Sequence, residues 1–457
     1  MSTNSPFPGR RHVLRSLVAG SLLWPGIVEC LSADDAPPRA TADADPLAPR
    51  PPHFPARAKN VIFLFMSGGV SHVDTWDPKP RLMADGGKTI TVNEFQGRKG
   101  EFQMYLQRPH WDFAPHGECG TQVSTLFPRM AECVDDLCVV RSMTSDHTNH
   151  YEATLGIHTG SFTFARPSIG AWVSYGLGTV NRNLPSFVVI APHQPYAGGQ
   201  VWGSDFLPGA HQGTLVAPGD EPVANIRRRV ASSRLQELEL AAMARMNRRH
   251  ESERGGDAQL AARIKSFETA FGMQAEMPEV FDLSKENDET LALYGLPRGS
   301  TQGFAWQCLV ARRLVERGVR FVELIDVGSS NNWDAHGDMK THEPLAKNVD
   351  QPIAALLRDL KRRGLLDETL VVWTTEFGRT PFNAAADAKG REHHHWVFTS
   401  WLAGGGVKPG ITYGESDEYG VRVGSNGLDH ERLTFRHSGR DYRLTDVHGQ
   451  VVKGLLT

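Results

Sequence analysis

Short apolar runs, each followed by glycine or polar residues, constrain the fold of this chain more than any other feature. The first is the segment NVIFLFM at Asn60–Met66. A continuous apolar run bounded by polar segments is typical of a strand that is buried on both faces of a sheet. Similar runs occur at Leu137–Val140, Phe187–Ile190, Arg320–Ile325, Leu370–Thr375 and Phe398–Leu402.

Helical periodicity separates several of these runs, as at Phe304–Glu316 and Leu345–Arg363. Strands that alternate with helices predict an α/β fold, with a mainly parallel sheet and helices on both faces. The segment of about 222–293 differs, because it is charged, rich in Ala, Leu, Arg and Glu, and has no strand-like run. It predicts a helical insertion of two or three amphipathic helices, with a break at Gly255-Gly256.

The N-terminal residues have the pattern of an export signal. Arg10-Arg11 precede an apolar stretch, Leu17–Val28, and Leu31-Ser32-Ala33 has the small residues of a cleavage site. Residues 1–33 therefore predict a twin-arginine signal and a periplasmic or otherwise exported protein. Proline and glycine interrupt the apolar stretch, so we expect no stable membrane span in the mature protein. A lipid-modified Cys30 and a disordered cytosolic tail are the alternatives.

The rest of the chain divides into a linker and one domain. Residues 34–57 are rich in Pro, Ala and Asp and predict a flexible linker before a domain at 58–457. The formal net charge is -3, so nothing suggests a general affinity for nucleic acid or an anionic membrane, and we expect no nucleic-acid partner. A Cys133–Cys138 disulfide and buried free thiols are both compatible with the cysteine spacing.

The stretch Leu370–Trp396 has the strongest functional signal. Its apolar run ends in Glu376, Gly378 and Arg379, and three consecutive histidines, residues 393–395, follow a short polar loop. A buried strand that stops at a carboxylate places that carboxylate at its carboxyl end, where open α/β sheets build their sites. Histidines that follow closely can ligate a metal beside it. The alternative is a surface turn with a solvated histidine run.

Three further loops place His and carboxylate side chains after predicted strands. His72 and Asp74 follow the first strand, His150 follows the second, and Asp334 and His336 follow Arg320–Ile325. A parallel sheet would gather these loops at one edge, which predicts a shared metal site. Carboxylate and imidazole ligands suit Zn, Mn or Fe better than Ca or Mg. Asp74 has an alternative role as a helix cap.

Several motifs together resemble the bacterial family called domain of unknown function 1501. After the export signal they are FLFMSGGVSHVDTWDPKP, NNWDAHGD, WTTEFGRTP, GREHHHW, WLAGGGVKPG and LDHERLTFRHSGRDYRLTDVHG, in that order. The likeness covers nearly all of the chain after the linker. That family is placed in the alkaline phosphatase-like superfamily, with sulfatases, phosphatases and phosphomutases. The resemblance therefore implies an alkaline phosphatase-like three-layer sandwich.

The resemblance also implies roles for the metal ligands. Asp334 and His336 resemble the Asp and His that share one metal in the superfamily, and His393 resembles the distal histidine of that metal. Glu376 falls where the second metal has an aspartate, whereas Phe377 falls where that metal has a histidine. Because phenylalanine cannot ligate, the pattern favours one metal over two.

The catalytic residues implied by the resemblance are less regular. His150 falls at the position of the superfamily nucleophile, where it has three possible roles: metal ligand, base or phosphoryl acceptor. Arg379 is expected to pair with the substrate anion, or alternatively to cap the loop or pair with Glu376. The Cys-x-Pro-x-Arg signature of formylglycine sulfatases is absent from the sequence. Compared with relatives, this chain is expected to lack a strand and a helix around residues 423–427.

The sequence thus predicts an exported metal-dependent hydrolase of phosphate or sulfate esters. Its metal ligands would be Asp334, His336 and His393, with His72, Asp74 and Glu376 nearby, and its partner a small anionic ester or a sulfated or phosphorylated glycan. The alternative is a non-catalytic binding or assembly protein that retains the fold, including a carbohydrate-binding one. Tryptophans near the site loops are candidates for stacking on sugars, although such residues are more often packing residues; they are Trp76, Trp111, Trp202, Trp333 and Trp396.

Overall fold

An eight-stranded sheet forms the centre of the protein, as the apolar runs predict. The computed structural model describes residues 45–224, 226, 232–254, 258–327, 332–424, 434–437, 440–443 and 455. The strands of this sheet are β1 (Asn60–Met66), β6 (Leu137–Met143), β7 (Phe187–Ile190), β8 (Thr214–Val216), β9 (Phe321–Asp326), β10 (Thr369–Thr374), β14 (Phe398–Ala403) and β15 (Ile411–Tyr413). They lie in the order β15-β6-β14-β10-β1-β9-β7-β8, and of these eight only β14 is antiparallel to its neighbours.

The central strand β1 is buried on both faces of this sheet. Ile62, Leu64 and Met66 lie in one apolar core, while Phe63 and Phe65 lie in a second. Because successive side chains of a strand point to opposite faces, the two cores lie on opposite sides of the sheet. The apolar run in the sequence is continuous for this reason.

Helices cover both faces, which confirms the predicted α/β class. The first core includes residues of α8 (Phe304–Glu316) and α9 (His342–Arg362), and the second includes residues of α3 (His150–Thr159) and α4 (Ile169–Leu177). Two short helices, α1 (His72–Thr75) and α2 (Pro80–Asp85), follow β1. No described helix combines the length and apolar character that a membrane crossing requires.

The segment predicted to be helical contains three α-helices. They are α5 (Ser233–Arg254), α6 (Ala258–Phe281) and α7 (Asp288–Tyr294). Met273 and Met277 of α6 are buried in the first core, which fixes this helix against the body of the protein. Short 3-10 turns occur at Met130–Asp136, Gly198–Trp202, Gly209–His211, Leu283–Lys285, Met339–Thr341 and Leu366–Glu368.

Small sheets and ribbons surround the central sheet, and the apolar runs do not predict them. Three strands, β12 (Phe382–Asn383), β3 (Arg98–Leu106) and β2 (Thr89–Phe95), form one sheet in that order. Paired ribbons are formed by β4 (Phe113–His116) with β5 (Thr121–Ser124), β11 (Gly378–Arg379) with β13 (His393–His394), and β16 (Thr434–His437) with β17 (Arg440–Arg443). Exposed residues interrupt β2 and β3, so these two strands lack the continuous apolar signal of a buried strand.

Other expectations from the sequence concern the linker, the cysteines and residues outside the described structure. Leu47, within the predicted linker, is buried, and its carbonyl oxygen accepts a hydrogen bond from the Thr179 N–H just after α4. The described cysteines, Cys119, Cys133, Cys138 and Cys308, are free thiols, so Cys133 and Cys138 do not form a disulfide. The predicted signal, Cys30 and most of the apparent deletion at 423–427 lie outside the described residues.

A buried charged pair links α3 to the sheet. His158 Nε2 lies 2.7 Å from Glu323 Oε1, and His158 Nδ1 donates to the Thr154 carbonyl oxygen at 2.7 Å. The His158 ring also packs edge-on against Phe65. Burial would lower the pKa of His158, but the Glu323 carboxylate outweighs it and raises that pKa above its ordinary value.

This pair makes stability fall as pH rises. Because the pKa of His158 is higher in the folded than in the unfolded state, its stabilisation is complete below about pH 6.5 and is lost as pH rises through the folded-state pKa. Urea unfolding of the wild type should show a loss of at most about 1.4 kcal/mol per pH unit from this source. The His158→Gln/Glu323→Gln double variant keeps a neutral hydrogen-bonded pair and serves as reference. An unchanged difference between the two proteins across this window would contradict the prediction.

Candidate metal centre

The loops at the carboxyl edge of the sheet bring most of the predicted site residues together. Asp334 and His336 follow β9, Glu376 follows β10, and His150 is the first residue of α3. The antiparallel ribbon of β11 and β13 places Arg379 opposite His393. Parallel strands end at the same edge, so residues far apart in sequence become neighbours there.

The carboxylate of Asp334 is the point at which these side chains converge. Its Oδ1 lies 2.9 Å from His336 Nε2 and 3.2 Å from His393 Nε2, and it accepts a hydrogen bond from Arg379 Nη2 at 2.5 Å. Its Oδ2 lies 3.3 Å from His150 Nε2. Three imidazole rings therefore present the same nitrogen, Nε2, to one carboxylate.

Acceptors behind the three rings explain why Nε2 faces the carboxylate. The Nδ1 atoms of His150 and His336 lie 2.6 Å from Glu376 Oε1 and 2.9 Å from Glu392 Oε2, respectively. His393 Nδ1 donates to the Thr148 carbonyl oxygen at 2.6 Å. Because an ionised carboxylate and a carbonyl oxygen only accept, each Nδ1 carries a proton, and a neutral ring then presents an Nε2 lone pair.

Converging lone pairs and a carboxylate suit a bound cation. Ligand atoms of His150, Asp334 and His393 all lie within 4.8 Å of one another, and these residues are the one such group among the described residues. His150 Nε2 is buried and has no hydrogen-bond partner among them, because its approach to Asp334 lacks hydrogen-bond geometry. His336 Nε2 also lies 2.9 Å from His393 Nε2, and two lone pairs at this distance repel unless a proton or cation lies between them. The donor set therefore fits a divalent metal.

The pKa values of the cluster reflect the same arrangement. Burial would raise the pKa of Asp334, but the three neighbouring histidines and the Arg379 charge hold it far below its usual range. Hydrogen bonds to Asp334 and Glu392 raise the pKa of His336 to about 9. For His393, burial lowers the pKa in spite of the Asp334 carboxylate. The cluster thus combines strongly acidic carboxylates with basic nitrogens, as metal sites do.

Glu376 lies behind His150 rather than beside Asp334. Its side chain is fully buried, and its oxygens accept hydrogen bonds from Gly68 N–H at 2.8 and 3.1 Å and from the Thr375 hydroxyl at 3.0 Å. Burial would raise its pKa, but the hydrogen bond to His150 lowers it. In these contacts Glu376 orients a candidate ligand, as outer carboxylates of metal sites do.

Gly68 allows the end of β1 to approach the loop after β9. Its φ is +117°, and a Cβ atom there would lie 2.6 Å from the Trp333 backbone nitrogen. Any other residue would push the two loops apart or strain the backbone. The glycine therefore permits the Gly68 N–H to reach Glu376, and Trp333 and Asp334 to lie beside it.

Aromatic rings pack against the histidines of the cluster. The buried Phe377 ring lies 4.8 Å from the His150 ring and 4.7 Å from the His393 ring, centroid to centroid. Tyr196 stacks on His150 at 4.3 Å with an interplanar angle of 10°. The Phe377 ring thus forms an apolar wall that restricts both histidine rings.

Arg379 is buried and its hydrogen bonds are directed to the protein. Its guanidinium donates to the carbonyl oxygens of Gly68, Gly69 and Arg391, as well as to Asp334. Its side chain has no exposed surface. Its carboxylate partner is Asp334 rather than the Glu376 that the sequence offered as an alternative.

The structure does not bring Asp74 and His72 into the cluster. Asp74 Oδ2 accepts from Arg391 Nε at 2.7 Å and from the Ser71 hydroxyl at 2.5 Å, and both charged side chains are fully buried. His72 Nε2 donates to the Gly420 carbonyl oxygen at 2.9 Å, and its ring stacks 5.8 Å from His394. These two residues therefore belong to a neighbouring network, and no contact joins them to Asp334.

Two residues that contact the cluster, Glu392 and Tyr196, are not among the site residues predicted from the sequence. Glu392 directly precedes His393 in GREHHHW, so its place in the motif was an available signal. Tyr196 lies in the loop after β7, just before the 3-10 turn at Gly198–Trp202. No carboxylate or pair of histidines in this loop indicates a site. The stacking of Tyr196 on His150 depends on tertiary packing alone.

The fold and the cluster define an α/β protein with a candidate metal centre at the carboxyl edge of its sheet. Residues 58–456 match the family described as "Protein of unknown function (DUF1501)", and the chain belongs to this family. No curated protein matches the chain.

Several solved structures are similar to the chain. The alkaline phosphatase from the Antarctic bacterium TAB5 has 10% identity and a TM-score of 0.30, with 79% of this chain and 96% of that chain covered. The lipoteichoic acid synthase LtaP from Listeria monocytogenes has 9% identity and a TM-score of 0.31, over 80% and 72%. The PsFucS1 sulfatase from Pseudoalteromonas sp. has 12% identity and a TM-score of 0.32, over 79% and 65%.

The separate positions of Asp74 and Asp334 lead to opposite expectations for matched variants. Asp74→Asn leaves the buried Arg391 without its counter-charge and should lower the free energy of unfolding by about 3 kcal/mol, with metal content unchanged. Asp334→Asn should reduce metal content. Urea unfolding and elemental analysis of both variants measure these effects. Loss of metal from Asp74→Asn at unchanged stability would show that Asp74 is a ligand.

Proposed function

We propose that this protein is an exported, metal-dependent hydrolase of phosphate or sulfate esters that uses a single metal centre. His150, Asp334 and His393 would hold the metal, and His336 would add a fourth donor from the solvent side. The donor set favours Zn, Mn or Fe over Ca or Mg. A bound divalent cation would supply Lewis-acid chemistry, which stabilises negative charge on a transferred phosphoryl or sulfuryl group.

The observation that carries the proposal is the common orientation of three imidazole rings. Each ring has its Nδ1 held by an acceptor and its Nε2 directed at Asp334. A solvated histidine run would not fix three tautomers toward one carboxylate. Most histidine ligands of metals have such an acceptor on the ring nitrogen that does not ligate, and this acceptor sets the orientation and tautomer of the ring.

The nucleophile in this proposal is water. Both ring nitrogens of His150 are directed to carboxylates, at 2.6 Å from Glu376 and 3.3 Å from Asp334, so this ring is not free to accept a phosphoryl group. Among the described side chains that contact the cluster, no serine or threonine hydroxyl reaches Asp334. Water would attack phosphorus or sulfur and form the new bond to that atom while the bond to the ester oxygen breaks, and the proton that the water loses would pass to the leaving ester oxygen.

The substrate would approach from the side of His336. The side chains of His336 and Asp334 are 41% and 15% exposed, whereas that of Glu376 is fully buried. A site that opens at one residue suits a terminal ester group, either on a small molecule or on a sulfated or phosphorylated glycan. The twin-arginine signal supports a periplasmic or otherwise exported location for this activity.

A non-catalytic binding protein is the second candidate function. The observation that favours it is Arg379, whose hydrogen bonds are directed to the protein and which has no exposed surface to offer an anion. In that case the metal centre would be a structural or ligand-binding element, and no ester would be hydrolysed. Metal content would not separate the two functions, but turnover would.

Metal analysis of the protein purified from the export compartment tests the centre. We expect roughly one equivalent of a transition metal, which His393→Ala should remove. Glu376→Gln should weaken metal affinity by about 10- to 100-fold, because it orients His150 without ligating. The neighbouring His395, whose nearest carboxylate is Glu94 at 4.0 Å, provides the control, since His395→Ala should change nothing. Equal metal content in all these proteins would contradict the assignment.

A panel of aryl phosphates, phosphodiesters and aryl sulfates tests the reaction. We expect turnover of at least one class by the metal-loaded protein and loss of turnover in His393→Ala. Because water is the proposed nucleophile, added alcohols should yield no transfer product. Transfer to alcohol would indicate a covalent intermediate and reject this step, and inactivity of the metal-loaded protein on every class would favour the binding function.

A further inference from the structure

The hairpin tip, residues 94–97, connects β2 to β3 and lies against the candidate metal centre. Its turn consists of two residues, Gln96 and Gly97. One small cavity is lined jointly by the hairpin tip and by Thr148 and His393. A sheet that contributes none of the predicted site residues therefore borders one of the candidate ligands.

Apolar packing fixes the hairpin relative to the site. Phe382 of β12 is buried with Val92 and Met104 of the hairpin, and the Phe95 ring lies 6.3 Å from the Phe382 ring, centroid to centroid. Strand β12 pairs with β3 and comes shortly after β11, which pairs with the β13 strand that carries His393. The position of the hairpin tip against the metal centre is therefore part of the folded core.

The backbone of Gln96 has a conformation that is uncommon for its residue type. Its φ is +50°, and that of Gly97 is +74°. A two-residue hairpin turn with both angles positive favours Asn or Asp followed by Gly, because most other side chains are strained there. Among the described residues, only Gln96 and Asp205 are non-glycine residues with a positive φ. Strain of this kind is concentrated at functional sites, so the contacts of the Gln96 side chain are informative.

The Gln96 amide contacts the carboxylate that supports His336. Its Nε2 donates to Glu392 Oε2 at 2.9 Å, and the same oxygen lies 2.9 Å from His336 Nδ1. His336 Nε2 in turn lies 2.9 Å from Asp334 Oδ1. Side chains from three distant parts of the chain thus form a continuous row of polar contacts that ends at the candidate metal position.

His336 is the histidine of the cluster that depends most on such contacts. The Phe377 ring packs against His150 and His393, whereas the ring that contacts His336 is that of His393. The His336 side chain is 41% exposed, compared with 10% for His150 and 20% for His393. An exposed ring rotates unless hydrogen bonds hold it, so the orientation of His336 depends on the Glu392 carboxylate.

We propose that Gln96 is a positioning residue, which acts through Glu392 to hold His336 toward the bound metal. The inference rests on the metal centre of the proposed hydrolase. The Glu392 side chain is 18% exposed, and the Gln96 amide restricts the directions that its carboxylate can take. Asparagine would suit the turn better, but it is one methylene shorter and would withdraw the amide from this oxygen. Glutamine at the turn therefore favours the contact over the backbone preference.

A double-mutant cycle on the Zn²⁺ affinity of the full chain tests the proposal. Competition between the Zn²⁺-loaded protein and a chelating dye measures this affinity. We expect Gln96→Asn to weaken it by roughly 3- to 10-fold through the loss of one hydrogen bond, and Glu392→Ala to weaken it by about 10- to 100-fold. The Gln96→Asn/Glu392→Ala double variant should bind Zn²⁺ as Glu392→Ala does, because Gln96 then has no carboxylate to position.

Asp205→Gly is the matched control. Asp205 has a φ of +43° in the loop after Gly198–Trp202, and no described contact joins it to the cluster. Asparagine and glycine both adopt the left-handed conformation readily, so neither Gln96→Asn nor Asp205→Gly should disturb the fold, which circular dichroism checks. Asp205→Gly should bind Zn²⁺ as the wild type does.

Other results overturn the proposal in ways that can be told apart. Wild-type affinity in Gln96→Asn would show that Gln96 does not position His336, while the metal centre itself would stand. Additive losses in the double variant would show that Gln96 acts independently of Glu392. An equal loss in Asp205→Gly would reveal a general effect of turn backbone. Absence of Zn²⁺ binding by the wild type would reject the metal centre of the proposed function, and this role of Gln96 with it.

Discussion

The fully buried carboxylate of Glu376 holds the candidate site together. It accepts the Gly68 N–H from the end of β1 and pairs with Nδ1 of His150 at the start of α3. Two distant parts of the chain are therefore fixed to one charged group that has no access to solvent. A buried charge is tolerated only when hydrogen bonds compensate for the loss of water. The hydrogen bonds that compensate the Glu376 carboxylate also position the groups that donate them, and in this way they orient the His150 ring.

Two buried arginines divide the carboxyl edge into separate networks. Arg379 pairs with Asp334, and Arg391 pairs with Asp74, while the Arg391 carbonyl oxygen accepts a hydrogen bond from Arg379. The first pair leaves Asp334 partly exposed and open to three imidazoles, whereas the second pair is completely enclosed. An Asp–Arg pair thus belongs to the candidate site in one case, Asp334 and Arg379, and stabilises buried loops in the other, Asp74 and Arg391. The two pairs differ in the exposure of the aspartate and not in residue type.

The sequence predicts the sheet better than it predicts the site. Apolar runs identify β1, β6, β7, β9, β10 and β14 because a strand buried on both faces carries mostly apolar side chains. The same argument predicts which loops meet, and ligand atoms of His150, Asp334 and His393 lie within 4.8 Å of one another. It does not predict that Asp74 lies outside the cluster, because Asp74 pairs with Arg391, which is 317 residues distant in the chain. The role of Glu376 is similarly hidden, since a strand-end carboxylate has the same sequence signal whether it binds a metal or supports a histidine.

The Phe377 ring determines how two histidines of the cluster are held. It packs against both His150 and His393. Apolar packing on these rings restricts their rotation, so the hydrogen bonds to Glu376 and Thr148 fix their tautomers as well as their directions. Phenylalanine itself cannot ligate a metal, and the ligand atoms of His150, Asp334 and His393 lie within 4.8 Å of one another. These three residues offer their donors around one position, which is why the candidate centre is a single site that the Phe377 ring makes more rigid.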